Sequence, residues 1–145
     1  MPPHHPVDVH LLLLRDNTIL LSLRRSTDEF DNHWHLPSGK LEIGESATAA
    51  AAREAAEEVG IDITPTALRL IHVAHVTAPH HDARLGLFFR ADRWTGEPIN
   101  CEPDKCYELQ WFPLSRLPDE LIEYSALGIA ALDSPRPYSE FGWQQ

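Results

Sequence analysis

Three glutamates on one helix-forming stretch constrain this chain more than any other feature. Residues 46–59 are rich in alanine and contain no glycine or proline, so they favour a helix intrinsically. Ser46 suits its N-cap, and Gly60 stands where a left-handed C-terminal cap belongs. On such a helix Glu54, Glu57 and Glu58 lie at i, i+3 and i+4, within an arc of about 100°. Like charges that close repel by a few tenths of a kcal/mol per pair, about what exposed helix pairs show. Arg53, four residues before Glu57, can offset part of this. A hard divalent cation offsets more, because Mg²⁺ and Mn²⁺ take carboxylate oxygens and keep waters that substrate phosphates can displace. Three glutamates alone would read as a solvated acidic face.

The loop before the helix changes that reading. Gly39-Lys40-Leu41-Glu42-Ile43-Gly44-Glu45 holds two glycines, which let a backbone approach a ligand closely. The whole stretch runs Gly39, five residues, Glu45, seven residues, then Arg53-Glu54-Ala55-Ala56-Glu57-Glu58-Val59-Gly60-Ile61. Position by position it resembles the signature box of the Nudix hydrolase family (the MutT-like proteins), with Ala55 where a larger aliphatic residue is usual. Leu36-Pro37-Ser38-Gly39-Lys40 is similar to the family's Leu-Pro-Gly-Gly-Lys, with Ser38 replacing the first glycine.

The resemblance implies an α+β fold, an α/β/α sandwich with a mixed sheet and the box as a loop-helix-loop. It implies hydrolysis of a nucleoside diphosphate linked to a group X, with Mg²⁺ or Mn²⁺ as cofactor. Glu57 and Glu58 match the principal metal ligands. Glu54 matches a further ligand or the base, and the Gly39 carbonyl a backbone ligand. Glu45 and Arg53 match supporting residues. A later loop, Asn100-Cys101-Glu102-Pro103-Asp104-Lys105-Cys106, resembles an Asn-x-Glu-Pro-Glu-Lys segment of a nucleotide-hydrolysing branch. Glu102 thereby becomes a ligand or base outside the box, ahead of Asp104 and Glu108. Arg24 resembles a phosphate-contacting arginine, and a guanidinium fork suits phosphate; Lys40 and the neighbouring Arg25 are further cations near the box. Tyr124 joins Phe30, Trp34, Phe89, Trp94 and Trp111 as aromatics able to meet a head group.

Composition narrows the partners. Twelve Lys and Arg against 22 Asp and Glu give a net charge of −10. That argues against nucleic acid polymers, whose binding runs on Lys and Arg, and suits a small anionic substrate bridged by a cation. No apolar run is long enough to span a membrane, and no secretory signal opens the chain. Cys101 and Cys106 read as reduced thiols of a cytoplasmic protein. The 145 residues read as a single domain, 1–145, with 1–6 a flexible arm carrying solvated His4 and His5. Homodimers are common in the family. Residues 7–15, 18–23, 68–77, 85–91 and 108–113 pattern as strands, with a turn at Asp16-Asn17, and 121–132 as a second helix. His80, His81 and Arg84 fall in a loop after the third strand.

The substrate that best suits these features is a nucleoside triphosphate, normal or modified, cleaved to monophosphate and pyrophosphate. A nucleotide sugar or a prenyl diphosphate is the alternative substrate. A non-catalytic ligand-sensing module is the alternative function, opposed by the intact set of box glutamates. A prenyl diphosphate isomerase would need a catalytic Cys–Glu pair, which Cys101 and Cys106 do not suggest.

Overall fold

The computed structural model describes residues 1–144. Strands β1 (Val7–Arg15) and β2 (Thr18–Arg24) form a hairpin. Asp16 and Asn17 both take positive φ, 50° and 62°, the geometry that matches a two-residue turn to strand twist. The chain continues through β3 (Trp34–His35), β4 (Ser38–Lys40), α1 (Ala47–Val59), a 3₁₀ turn (Pro65–Ala67) and β5 (Arg69–Ala78). It ends with β6 (His81–Ala91), β7 (Cys106–Pro113), α2 (Glu123–Asp133) and β8 (Tyr138–Phe141).

The strands form one mixed sheet in the order β3-β2-β1-β6-β5-β8, with β4 also on β1 and β7 on β2. β1 runs parallel to β6, and β5 to β8; the other pairs are antiparallel. Alternation along β1 separates two cores. Val9, Leu11 and Leu13 pack with Ala50, Ala51, Ala55 and Val59 of α1. Leu12 and Leu14 pack with Phe88 and with Ile129 of α2. The helices therefore cover opposite faces, which is the α/β/α sandwich the sequence implied. Ala55 is fully buried against this sheet, where its small side chain lets α1 lie close.

α1 is capped as its sequence indicates. Ser46 Oγ accepts from the Ala49 N–H at 3.2 Å, and Gly60 has φ 69°. Elsewhere the structure corrects the reading. β6 begins at His81, so His81 and Arg84 belong to a strand, with only His80 in the turn. β8 forms where no element was expected, because its four residues gain ladder partners only by lying along the edge of β5. The arm is not wholly solvated: the His5 ring stacks on His75 and the Pro6 carbonyl accepts from Leu85 N–H at 3.0 Å.

One feature of β1 positions the site. At its C-terminal end Leu14 and Arg15 pair with β2, whereas at its N-terminal end Asp8, Val9 and His10 pair with β4. Between these registers β2 and β4 diverge along the same edge, and Ser22, Arg24, His35 and Ser38 line the cleft between them.

Candidate active site

The box folds around Arg53. Its Nε and Nη2 donate to the two oxygens of Glu45 at 3.0 and 2.7 Å. Nη1 donates to Glu54 at 2.8 Å and to Glu57 at 3.1 Å. Nη2 also reaches the Lys40 carbonyl at 3.1 Å, which ties the loop to the helix. One planar guanidinium thus holds three glutamates and one carbonyl, a task an ammonium could not perform in this geometry. These contacts hold the Glu45 carboxyl below the usual carboxylate range.

Glu58 lies on the other side of this cluster. Its Oε2 accepts from the Ser38 backbone N–H at 3.0 Å. Because that donor is backbone, serine in place of the family's glycine leaves the contact intact. Burial raises the Glu58 carboxyl well above the usual range, and the charges of Glu54 and Glu102 push the same way. Burial also raises Glu54, against the pull of Arg53. A Cβ at Gly39 would run into the Glu54 carboxylate, so a side chain there would push that carboxylate from its present position.

Among the described residues, no three acidic, imidazole or thiol groups converge on one point. Arg53 draws Glu54 and Glu57 toward itself, while Glu58 is turned to Ser38. The donor chemistry still fits a hard divalent cation. All the side-chain donors are oxygens, and Glu58 is half-buried with no basic partner among the described residues.

Glu102 joins the cluster from the other wall of the cleft. Its N–H donates to Asn100 Oδ1 at 3.1 Å, while Asn100 Nδ2 donates to the Cys106 carbonyl at 2.7 Å, so the loop is internally braced. A pocket of about 310 Å³ is lined by Glu58, Glu102, Arg24, Arg25, Lys105, His35 and Ser38, among others. Asp104 and Glu108 are exposed and do not line it. Arg24 does, with its guanidinium held 2.8 Å from Asp28.

A second cavity, about 470 Å³, adjoins the first and shares Arg24, His35 and Ser38 with it. Lys40, Phe30 and Tyr124 line it, as do three residues the sequence reading missed or set aside: Asp8, His10 and Arg84. Arg84 donates to Asp8 from Nε at 2.6 Å and Nη2 at 2.9 Å, and Tyr124 Oη adds a third donor at 2.9 Å. His10 is buried, stacked on Phe88 with ring centroids 4.3 Å apart, and neither ring nitrogen has a partner among the described residues. Burial lowers its imidazole to about 4. The available signal was Asp8 and His10 at i and i+2 in an otherwise apolar strand, polar groups on one face.

The other aromatic candidates are elsewhere. Trp34 and Phe89 are core residues. Trp94 and Trp111 stack on each other beside Arg15, whose guanidinium lies 4.5 Å from the Trp111 ring centroid, at the far end of β1. A surface cavity there, about 680 Å³, contains no box residue.

The NUDIX domain profile matches residues 4–131. The chain belongs to the Nudix family. It is 33% identical over 92 residues to the 8-oxo-dGTP diphosphatase of Escherichia coli, covering 63% of this chain and 69% of that protein. It is 32% identical over 127 residues to the ADP-ribose pyrophosphatase of Methanocaldococcus jannaschii, covering 86% and 71%. The crystal structure of the MutT NUDIX hydrolase from Burkholderia pseudomallei superposes with TM-score 0.81 at 30% identity, covering 88% of this chain and 98% of that one. The Nudix chain is accordingly a MutT-like hydrolase of phosphorus anhydrides, a class that uses divalent metal ions. No helix among the described residues is long and apolar enough to cross a membrane.

Proposed function

We propose that this Nudix hydrolase cleaves a nucleoside triphosphate to the monophosphate and pyrophosphate with Mg²⁺ or Mn²⁺. One observation carries the reading. Arg24, His35 and Ser38 line both the acidic pocket of Glu58 and Glu102 and the larger cavity beside it. A single substrate can therefore lay its phosphates along the box and its head group in the cavity. The name of the Escherichia coli relative, an 8-oxo-dGTP diphosphatase, supports a nucleotide substrate.

In this reading Glu57, Glu58 and Glu54, with the Gly39 carbonyl, hold the metal. When bound, the metal neutralises the pyrophosphate and acts as Lewis acid. Arg53 and Glu45 fix the orientation of the box glutamates. Arg24, Arg25 and Lys105 face the phosphates across the cleft, with Lys40 at its mouth. Glu102, braced by Asn100, accepts the proton of the attacking water as oxygen bonds to phosphorus and the anhydride P–O bond breaks. The free thiols Cys101 and Cys106 agree with a cytoplasmic setting.

The test is a Mg²⁺-dependent hydrolysis panel of normal, oxidised and methylated nucleoside triphosphates, nucleotide sugars, dinucleoside polyphosphates and prenyl diphosphates. Release of a nucleoside monophosphate and pyrophosphate from one triphosphate is the expected result. Silence on every triphosphate, with turnover of a nucleotide sugar or prenyl diphosphate, would overturn the substrate. Silence throughout, in protein that binds Mg²⁺, would favour a ligand-sensing module.

A further inference from the structure

The larger cavity has a wall that lies outside the residues matched by the family. β8, Tyr138–Phe141, follows the matched span 4–131, and Phe141 lines the cavity. Phe141 pairs with Val76 on β5, and Val76 pairs with Arg84 on β6. Cross-strand partners share a face, so Phe141 stands on the same face as the Arg84 that grips Asp8. The strand is well anchored. Ser139 Oγ and His72 Nε2 are 2.7 Å apart, and His72 Nδ1 lies 2.8 Å from the Arg136 carbonyl. Trp143 Nε1 donates to the His75 carbonyl at 2.9 Å.

A second exposed phenyl ring lines the same cavity from the loop after β2. Asp28 accepts from the Phe30 N–H at 3.0 Å and from Ser26 Oγ at 2.6 Å, and is itself held by Arg24. That loop reaches the β5–β6 hairpin, where Glu29 lies 3.8 Å from His81. Phe30 is 38% exposed and Phe141 46%, so both present ring surface to a ligand without rearrangement of the core.

The charges between the two rings specify what enters. Asp8 is neutralised by Arg84 and Arg24 by Asp28, while Asp82 and Glu123 have no basic partner among the described residues. Only Lys40, at the box end, is a cation with no carboxylate partner among the cavity's described side chains. A second anionic group at the far end would meet no unpaired cation, whereas an uncharged planar ring would meet two phenyl faces and a polar floor.

We propose that β8 is a specificity element of this hydrolase, with Phe141 stacking, together with Phe30, on an uncharged heteroaromatic head group of the substrate. The assignment rests on the function proposed above and places the substrate's nucleobase in this cavity. Stacking of a base on an aromatic side chain is worth roughly fivefold to a hundredfold in affinity by alanine substitution.

The experiment measures equilibrium binding of nucleoside monophosphates and, separately, of inorganic pyrophosphate, each with Mg²⁺. It uses the full chain and the variants Phe141→Ala and Phe141→Tyr, with thermal melts confirming that each is folded. In Phe141→Ala the best-bound nucleotide should weaken about tenfold, and Phe141→Tyr should restore it to within about twofold. Pyrophosphate, which lacks a head group, should change less than about twofold. Equal weakening of both ligands would reduce β8 to a structural strap and overturn the proposal. So would unchanged nucleotide affinity, or no nucleotide binding by a wild-type protein that binds pyrophosphate. If the hydrolysis panel is silent but the expected binding pattern appears, the proposed reaction fails and the head-group site stands.

Discussion

Arg53 and Glu45 meet fork to fork, with Nε and Nη2 at 3.0 and 2.7 Å from the two carboxylate oxygens, although they lie eight positions apart in the chain. The pair closes the box loop onto α1, and the remaining nitrogen of the same guanidinium holds Glu54 and Glu57. Charge alone does not reproduce this arrangement, because a lysine has no planar fork. Arg53→Lys should therefore lower kcat/KM at least about tenfold, roughly 1.4 kcal/mol of barrier, while the melting temperature moves by a few degrees only. Steady-state kinetics beside a thermal melt would check this, and a fully active Arg53→Lys protein would remove the positioning role.

Glu57→Gln should abolish most Mg²⁺-dependent turnover with little effect on the fold. Glu57 is exposed, and among the described residues its side chain meets only Arg53, at 3.1 Å, so the substitution removes a charge without opening a cavity. Turnover near wild type in a folded Glu57→Gln protein would sink the metal assignment.

Glu102→Gln separates a base outside the box from a base within it. Asn100 and the Cys106 carbonyl brace the loop through backbone and amide contacts that the substitution leaves in place. If Glu102 accepts the proton, kcat should fall by about a hundredfold or more, the low end of general-base contributions. A decrease under about threefold, less than 1 kcal/mol of barrier, would return that task to the box glutamates.

His10 makes stability depend on pH. In the unfolded chain an imidazole takes up its proton near pH 6.5, whereas buried His10 does so only at about 4. Burial is the main cause; Asp8 opposes it, and His35 and Arg84 reinforce it. Between those pH values the unfolded state binds more protons, so stability is full above pH 6.5 and falls on acidification toward pH 4. The loss attributable to His10 is up to about 3 kcal/mol at the acid end. Denaturant titrations at pH 7 and pH 5 should show a smaller acid loss in His10→Phe than in wild type, all other groups being common to both. His10→Phe should also be at least as stable at pH 7, because it removes two buried nitrogens without partners. Parallel pH curves would remove His10 as the cause.

Much of this molecule was legible before folding because its signals are local. The cap at Ser46, the left-handed Gly60, the two-residue turn at Asp16-Asn17 and the burial of β1 on both faces each depend on residues a few positions apart. The box spacing placed Glu45, Arg53, Glu54, Glu57 and Glu58 on one loop and one helix, and the structure keeps them together. Harder to read were contacts set by strand order. Trp94 and Trp111 looked as eligible as Phe30 for a head group, yet they stack at the opposite end of β1. Nothing local distinguishes Tyr138 to Phe141, two aromatic residues flanking a serine and a glutamate, from an irregular tail.

The sequence by itself determined the acidic face of the box, because helical periodicity aligns Glu54, Glu57 and Glu58 without help from the rest of the chain. Only the tertiary structure decided what stands opposite that box. Placing β6 beside β1 joined Arg84 to Asp8 across 76 residues, and laying β8 along β5 brought Phe141 to the cavity. The reason is physical: side-chain direction within an element follows from its own periodicity, but which elements become neighbours follows from burying both faces of a shared sheet.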